Sequence, residues 1–261
     1  MTVFAKLAGF AVVLALAFGG AALAGSRFDV HPGKSAEPAM HAMEPQPVRG
    51  LAVSADGLAL ELLPADRGEL RFRIADRRGQ TVRDFDVEHT KRMHLIVVRR
   101  DMTGFQHLHP IQRPDGSWST PLTLPDAGSY RVFADFATAG KSHTLARDLN
   151  VAGPARWHAL PAPARSADVD GLRVTLTRSD SQLAFEVTRH GRPVAVQPYL
   201  GARGHLVALR EGDLAFLHVH PDADRLRFEA EFPTAGRYRL FLQFKTEGRV
   251  HTAAFTQEVS R

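Results

Sequence analysis

The sequence lacks cysteine altogether and has little tyrosine and tryptophan, with only 3 tyrosines and 2 tryptophans among 261 residues. Without cysteine, the protein has no disulfide bonds, thiolate metal sites, iron–sulfur clusters or cysteine nucleophiles. The net charge is +5, and the basic residues that produce it are scattered along the chain. Nucleic-acid-binding proteins concentrate basic residues on one face or in one segment, so no nucleic-acid partner is expected. Histidine is abundant, at 13 residues, and its positions guide the functional prediction.

The N-terminal segment reads as an export signal. Lys6 precedes a long apolar run, and Ala22 and Ala24 supply small residues at the two positions that a signal peptidase recognises. We predict a signal peptide over residues 1–24, or alternatively an uncleaved N-terminal anchor, because the run reaches the lower limit of membrane-spanning length. Either reading predicts an exported protein, in a periplasm or on the extracellular face of the cytoplasmic membrane. Membrane contact is expected only through such an anchor.

Residues 25–50 are rich in proline, alanine, glycine and charge and show no apolar period, which predicts a disordered leader. The leader contains Met40-His41-Ala42-Met43, and thioether and imidazole ligands suit Cu(I). A plain linker is the alternative interpretation of this short tract.

The remaining chain is an internal tandem repeat of one unit. Two segments of the first half align without gaps on two segments of the second half, 93–110 on 204–221 and 125–146 on 233–254. This repeat predicts two domains, over residues 51–152 and 166–260, joined by a Pro/Ala-rich linker over residues 153–165.

Each repeat consists of short stretches of alternating, β-branched or aromatic residues separated by turn signals such as Asp-Gly and Ala-Gly. The mature chain carries no sustained helical period. We therefore predict an all-β protein made of two tandem immunoglobulin-like β-sandwich domains. Tyr130 and Tyr238, each two residues after a glycine, mark positions where a tyrosine fixes a strand corner.

Four histidines of each repeat occupy matched positions. The pairs are His94 with His205, His107 with His218, His109 with His220, and His143 with His251. Within the aligned segments 93–110 and 204–221, most turn residues differ between the repeats, whereas all three histidines match. Selective retention is the simpler explanation, and it favours a shared chemical role.

Hairpin geometry brings three of these histidines together in each repeat. Gly212-Asp213 is a strong turn signal, and folding the chain there places His205 opposite His220. His218 lies on the same face as His220 because side chains alternate along a strand. The same folding in the first repeat, centred between residues 101 and 102, opposes His94 to His109 and residue 96 to His107.

Converging neutral imidazoles are ligands for Zn(II) or Cu(II). We predict one ion on each repeat, with the fourth histidine either completing a four-nitrogen site or leaving one position open. The predicted ligands are His94, His107, His109 and His143 for the first ion, and His205, His218, His220 and His251 for the second. Alternatives are buried histidine–backbone networks, a pH-sensing cluster and a purely structural cluster. The unpaired residues His89, His158 and His190 are expected on the surface.

The strings Gly204-His205-Leu206-Val207-Ala208-Leu209-Arg210 and Leu217-His218-Val219-His220-Pro221 resemble those of exported bacterial heavy-metal-associated β-sandwich proteins. The chain is also distantly similar to copper-handling domains of the CopC and YtkA-like types. It departs from the CopC pattern because cleavage after Ala24 leaves no histidine as the mature N-terminal residue. The resemblance implies copper as the ion, with zinc second, and another cell-envelope metal-handling protein as a partner.

Two other functional classes remain open. One is a cell-envelope interaction module whose histidines only pack, and the other is a metal-dependent oxidoreductase. The sequence has no Gly-x-Ser-x-Gly, P-loop or paired-carboxylate pattern, so we do not expect an enzyme.

Overall fold

The structure, a computed structural model, describes residues 48–217, 219–221 and 224–260, with the backbone alone for residues 220 and 221. The predicted signal peptide, the Met40-His41-Ala42-Met43 tract and His218 lie outside these residues. All regular secondary structure in the described part is β-strand. No helix in these residues is long and apolar enough to span a membrane.

The first repeat is a sandwich of two antiparallel sheets. Its strands are β1 (Ser54–Ala55), β2 (Leu58–Leu63), β3 (Glu69–Ala75), β4 (His94–Arg99), β5 (Gln106–Leu108), β6 (Ile111–Gln112), β7 (Trp118–Pro121), β8 (Gly128–Thr138) and β9 (Lys141–Val151). One sheet has the order β1-β2-β3-β7-β6 and the other the order β5-β4-β8-β9.

The second repeat has the same architecture. Its strands are β10 (Ser166–Val169), β11 (Leu172–Ser179), β12 (Gln182–Arg189), β13 (Arg192–Pro193), β14 (Gly204–Arg210), β15 (Phe216–Leu217), β16 (His220–Pro221), β17 (Arg227–Glu229), β18 (Gly236–Thr246) and β19 (Arg249–Val259). The sheets run β10-β11-β12-β17-β16, with β13 beside β12, and β15-β14-β18-β19. The predicted all-β fold with two tandem immunoglobulin-like sandwiches is confirmed.

Strands β4 and β14 are buried on both faces, and this double burial joins the repeats. Leu95 and Val97 of β4 point into the core of the first sandwich, whereas Ile96 and Val98 enter a third apolar cluster. Residues of β14 and β15 fill the same third cluster from the second repeat. Phe105 stacks on Phe241 across this boundary, with ring centroids 4.0 Å apart. The β4 side chains alternate between two apolar surroundings, which explains its uninterrupted apolar sequence.

The predicted hairpin registers are present where the strands pair. Ile96 opposes His107 in the first repeat, and Ala208 opposes Leu217 in the second. The second turn is longer than the predicted two-residue turn, because residues 211–215 separate β14 from β15. Leu214 adopts a φ of 59° and is fully buried in the cluster between the repeats, so the loop also serves that interface.

A tyrosine fixes the same corner of each sandwich, as the sequence predicted. The Tyr130 hydroxyl donates a hydrogen bond to the carbonyl of Asp126 at 2.9 Å, and that of Tyr238 to the carbonyl of Thr234 at 2.9 Å. Both tyrosine residues are buried, so these bonds satisfy hydroxyls that are removed from water, and the Tyr238 hydroxyl also lies 3.1 Å from the Thr234 hydroxyl.

The last residues of the predicted leader contact both repeats. The carbonyl of Arg49 accepts a hydrogen bond from the Phe216 amide at 2.9 Å. Gly50 has a φ of +71°, and a β-carbon there would lie 2.7 Å from Phe216 and 2.8 Å from Phe133. Only glycine fits this position without displacing one of the two phenylalanine side chains.

Candidate metal centre

Three imidazoles of the first repeat converge as the hairpin geometry predicted. His94 begins β4, His107 lies in β5, and His109 follows that strand. Each can bring one ring nitrogen within 4.8 Å of a nitrogen of the other two. The ring centroids of His107 and His109 are 4.8 Å apart, and those of His94 and His109 are 5.0 Å apart. We call these three residues the histidine triad.

The second repeat contributes His205 beside the triad. Its ring centroid lies 6.1 Å from that of His107 and 6.4 Å from that of His94. His89, which was expected on the surface, is half-buried and lies 5.8 Å from His205 by ring centroids. The two sandwiches thus bring five imidazoles together at their boundary, a contact between the repeats that the sequence did not predict.

Two backbone carbonyls fix the tautomers of the matched residues His94 and His205. The Nε2 atom of His94 lies 3.2 Å from the carbonyl oxygen of Glu88, and Nε2 of His205 lies 3.0 Å from that of Tyr199. A carbonyl oxygen only accepts hydrogen bonds, so each Nε2 carries the proton. In the neutral ring, Nδ1 is then left as a lone-pair nitrogen.

The contact between His94 and His107 belongs to a row of three polar contacts. The Nδ1 atom of His94 lies 3.1 Å from Nε2 of His107, and Nδ1 of His107 lies 2.9 Å from Oε1 of Gln243. Carbonyl oxygens stand at both ends of this row, at Glu88 and Gln243, and two neutral imidazoles supply two protons for three contacts. The two inner nitrogens therefore face each other with lone pairs.

That spacing suits a shared ion. Ligand nitrogens about 2.0–2.1 Å from a tetrahedral zinc ion lie about 3.3 Å from one another, close to the observed 3.1 Å. His109 supplies a further nitrogen, because its Nε2 atom is buried and makes no hydrogen bond to the described residues. Buried polar atoms are normally paired, so this atom marks a place for an additional partner.

The electrostatic environment keeps His107, His109 and His205 neutral. Burial, together with repulsion from His94, His109 and His205, lowers the pKa of His107 well below its ordinary value. Burial lowers the pKa of both His109 and His205 to about 4. These rings are therefore unprotonated at neutral pH, which is the form that binds a metal ion.

A small cavity adjoins the cluster and is lined from both repeats. Its walls include His94, His107 and His205 together with Glu88, Asp135 and Phe216. The cavity therefore lies at the boundary between the two sandwiches.

His143 and His251 lie on the opposite faces of their sheets from this cluster. His94 opposes Asp135 in β8, whereas His143 opposes the next residue, Phe136, and therefore points to the other face. The ring of His143 stacks on Phe136 and lies 3.4 Å from a carboxylate oxygen of Asp56. The structure does not join His143 to the triad, because the sheet separates them.

His251 repeats that arrangement. It opposes Phe244 and stacks on it, whereas His205 opposes Gln243. Its Nδ1 atom lies 2.7 Å from Asp170, and its Nε2 atom lies 3.1 Å from the Thr246 hydroxyl. Both nitrogens already have partners on that side of the sheet.

The predicted direct pairing of His205 with His220 is not formed. The ladder of β14 with β15 ends at Leu217, and the backbone of His220 pairs with Glu229 of β17 in the other sheet. Leu217 and the backbone of His220 therefore belong to different sheets, so the hairpin register does not extend to His220. In the first repeat, by contrast, strand β5 pairs with β4 as far as Leu108, the residue before His109.

Two site residues were not predicted as such from the sequence. His89 has no matched histidine in the second repeat, and Gln243 is the residue that the repeat aligns with Asp135. The sequence signal that could have found Gln243 is a polar residue between the apolar neighbours Leu242 and Phe244, and the structure pairs it with His205.

These features define a two-repeat β-sandwich protein with an imidazole cluster at the boundary between its repeats. The chain belongs to the family described as "Domain of unknown function (DUF8832)", which matches residues 47–153 and 167–261. No curated protein matches the chain significantly.

Among solved structures, the chain is similar to a two-domain fibronectin type-III segment of chicken tenascin. The identity is 11% and the TM-score 0.25, over 77% of this chain and 97% of that one. It is also similar to a chain in the complex of a mouse coronavirus receptor-binding domain with its murine receptor. There the identity is 9% and the TM-score 0.18, over 78% of this chain and 100% of the other.

Proposed function

We propose that this protein binds a copper ion, or a zinc ion as the second choice, through His94, His107 and His109. In this proposal it is a metal-binding protein that handles ions outside the cytoplasm, rather than an enzyme. The observation that carries the proposal is the 3.1 Å approach of Nδ1 of His94 to Nε2 of His107, two rings whose other nitrogens each contact a carbonyl oxygen. His109 brings a third imidazole to that pair.

A cation would relieve the repulsion between these lone pairs. The candidates are a proton and a divalent metal ion. A proton would also fill the gap, but burial and the neighbouring rings hold the pKa of His107 well below neutrality. A divalent ion is therefore the favoured occupant at neutral pH. Three neutral imidazoles are a common ligand set for both Zn(II) and Cu(II).

Copper ranks first for two reasons. Divalent copper binds nitrogen ligands more tightly than the other first-row divalent ions, including zinc. The resemblance of the Gly204–Arg210 strand to exported heavy-metal-associated proteins also favours copper. We also propose that the N-terminal segment is an export signal that directs the protein to the periplasm or the extracellular face of the membrane. Its partner there would be another cell-envelope metal-handling protein.

The test is a titration of the purified mature chain with Cu(II) and Zn(II) at pH 7.5. We expect tight binding of one ion that is lost in the double variant His94→Ala/His107→Ala. The matched control is His190→Ala, because His190 is exposed in a turn of the second repeat. Absence of tight binding by the wild-type chain would refute the proposal.

A second candidate is an interaction module in which the histidines stabilise the boundary between repeats. The contact of His107 with Gln243 favours it, because this hydrogen bond already links the two sandwiches without an ion. This candidate predicts that His107→Ala lowers the free energy of unfolding while the metal content of the purified protein stays the same.

A further inference from the structure

Gln243 is a buried glutamine of the second repeat that contacts the triad of the first. Its side chain is 8% exposed, and its Oε1 atom accepts a hydrogen bond from Nδ1 of His107 at 2.9 Å. Its Nε2 atom lies 3.3 Å from the Thr252 hydroxyl. The amide is therefore held at both ends, between a strand of its own sheet and an imidazole of the other sandwich.

This contact decides which nitrogen of His107 holds the proton. An amide oxygen only accepts, so His107 keeps its proton on Nδ1 and turns the lone pair of Nε2 toward His94. With the amide reversed, the Gln243 nitrogen would donate to Nδ1, and Nε2–H of His107 would donate to His94. The row from Glu88 to Gln243 would then be complete, with no lone pair left between the two histidines.

We propose that Gln243 is a positioning residue that holds His107 in its metal-binding tautomer, so that docking of the second repeat prepares the ion site of the first. This inference rests on the proposed function. It makes the second sandwich a part of the binding site even though the three ligands belong to the first. Residues that hold the far nitrogen of a metal-bound histidine typically change metal affinity by about 10–100-fold when removed.

Two variants separate this role from simple packing. Gln243→Leu removes the acceptor, whereas Gln243→Glu keeps the size of the side chain and can only accept from His107 at neutral pH. Gln243→Glu also installs the acidic side chain that the matched Asp135 carries in the first repeat. Gln106→Leu is the control, since Gln106 neighbours His107 but bonds the Thr123 carbonyl on the surface.

The experiment uses the full mature chain with ¹⁵N-labelled histidine at pH 7.5. In the metal-free wild type and in Gln243→Glu, long-range ¹H–¹⁵N spectra should show the proton of His107 on Nδ1. Zinc titrations should then give about 10–100-fold weaker binding for Gln243→Leu. Binding by Gln243→Glu should equal or exceed that of the wild type, and Gln106→Leu should match the wild type.

Three results would overturn the inference. One is a proton on Nε2 of His107 in the metal-free wild type, and another is equal zinc affinity of Gln243→Leu and the wild type. The third is weak zinc binding by a folded Gln243→Glu variant. If Gln243→Leu does not fold, the tautomer and the Gln243→Glu affinity decide the matter. Failure of the wild type to bind zinc or copper refutes the proposed function and this inference together, whereas equal affinities refute the inference alone.

Discussion

His94 and His107 approach each other through ring nitrogens 3.1 Å apart, and the carbonyl groups at the far side of each ring leave no proton for the space between them. Two lone pairs at that distance repel each other unless a cation lies between or beside them. The same two residues are joined by the hairpin of β4 and β5, so the local fold of the first repeat holds them in this arrangement.

Removal of a triad ligand should abolish tight metal binding. His109→Ala removes a buried nitrogen that has no hydrogen bond to the described residues, so folding should lose little polar pairing. We expect at least about a 100-fold loss in Cu(II) and Zn(II) affinity, since removing even an outer partner of a ligand costs up to about 100-fold. Isothermal titration measures this loss. A His109→Ala variant that binds as tightly as His190→Ala would contradict the assignment of His109 as a ligand.

The metal-free protein should lose stability as the pH falls from about 6.5 to about 4. In the unfolded chain histidine titrates near 6.5, whereas the folded environment lowers the pKa of His109 and of His205 to about 4. Between these values the unfolded chain binds more protons, so the free energy of unfolding decreases with decreasing pH. This stabilisation is fully present above 6.5 and is lost as the pH falls through about 4.

Urea unfolding at several pH values between 4 and 7.5 measures that dependence. His109→Gln/His205→Gln should give a shallower slope than the wild type, and His190→Gln should leave it unchanged because His190 is exposed. An identical slope in the wild type and the double variant would show that these two imidazoles do not carry the effect.

Much of the fold could be predicted from the sequence because its signals are local. Alternating apolar residues and turn residues predict the sandwiches. The turn at Gly212-Asp213 predicts the register that opposes Ala208 to Leu217. The docking of the repeats was not predicted, since a strand such as β4 is apolar whether it is covered by its own sandwich or by a second one. The cluster between Ile96 and Val207 required the three-dimensional structure.

The candidate site was predictable in part for the same reason. The triad follows from one short hairpin, whereas the faces of His143 and His251 depend on how the long strands β8 and β18 turn into the next strands. Thr138 opposes Lys141 across a two-residue turn, which aligns His143 with Phe136 rather than with Asp135. A shift of one residue would reverse that face.

The apolar boundary between the repeats should contribute strongly to stability. Phe241 is 4% exposed and stacks on Phe105, so Phe241→Ala should lower the free energy of unfolding by about 3–5 kcal/mol. Trp157→Ala is the control, because Trp157 is 73% exposed and should change stability by less than about 0.5 kcal/mol. Denaturant unfolding measures both, and similar small effects would argue against a packed boundary in solution.

The tyrosine corners should act independently. Tyr130→Phe and Tyr238→Phe each remove the hydroxyl bond to a carbonyl four residues upstream, at an expected cost of about 0.5–1.5 kcal/mol. Tyr238→Phe also removes the contact with the Thr234 hydroxyl. The corners belong to different sandwiches, so the double variant should show the sum of the two effects. Denaturant unfolding of the three variants measures this, and a strongly non-additive loss would indicate that the corners are coupled.

The most direct test of the metal-binding account is a crystal structure of the chain loaded with one equivalent of Cu(II) or Zn(II), with anomalous scattering recorded at the absorption edge of the metal. The account predicts one strong anomalous peak bonded to His94, His107 and His109, with nitrogen distances of about 2.0–2.1 Å for zinc. Metal-loaded crystals with no peak at the triad, or with the ion at other histidines while the triad remains empty, would contradict it.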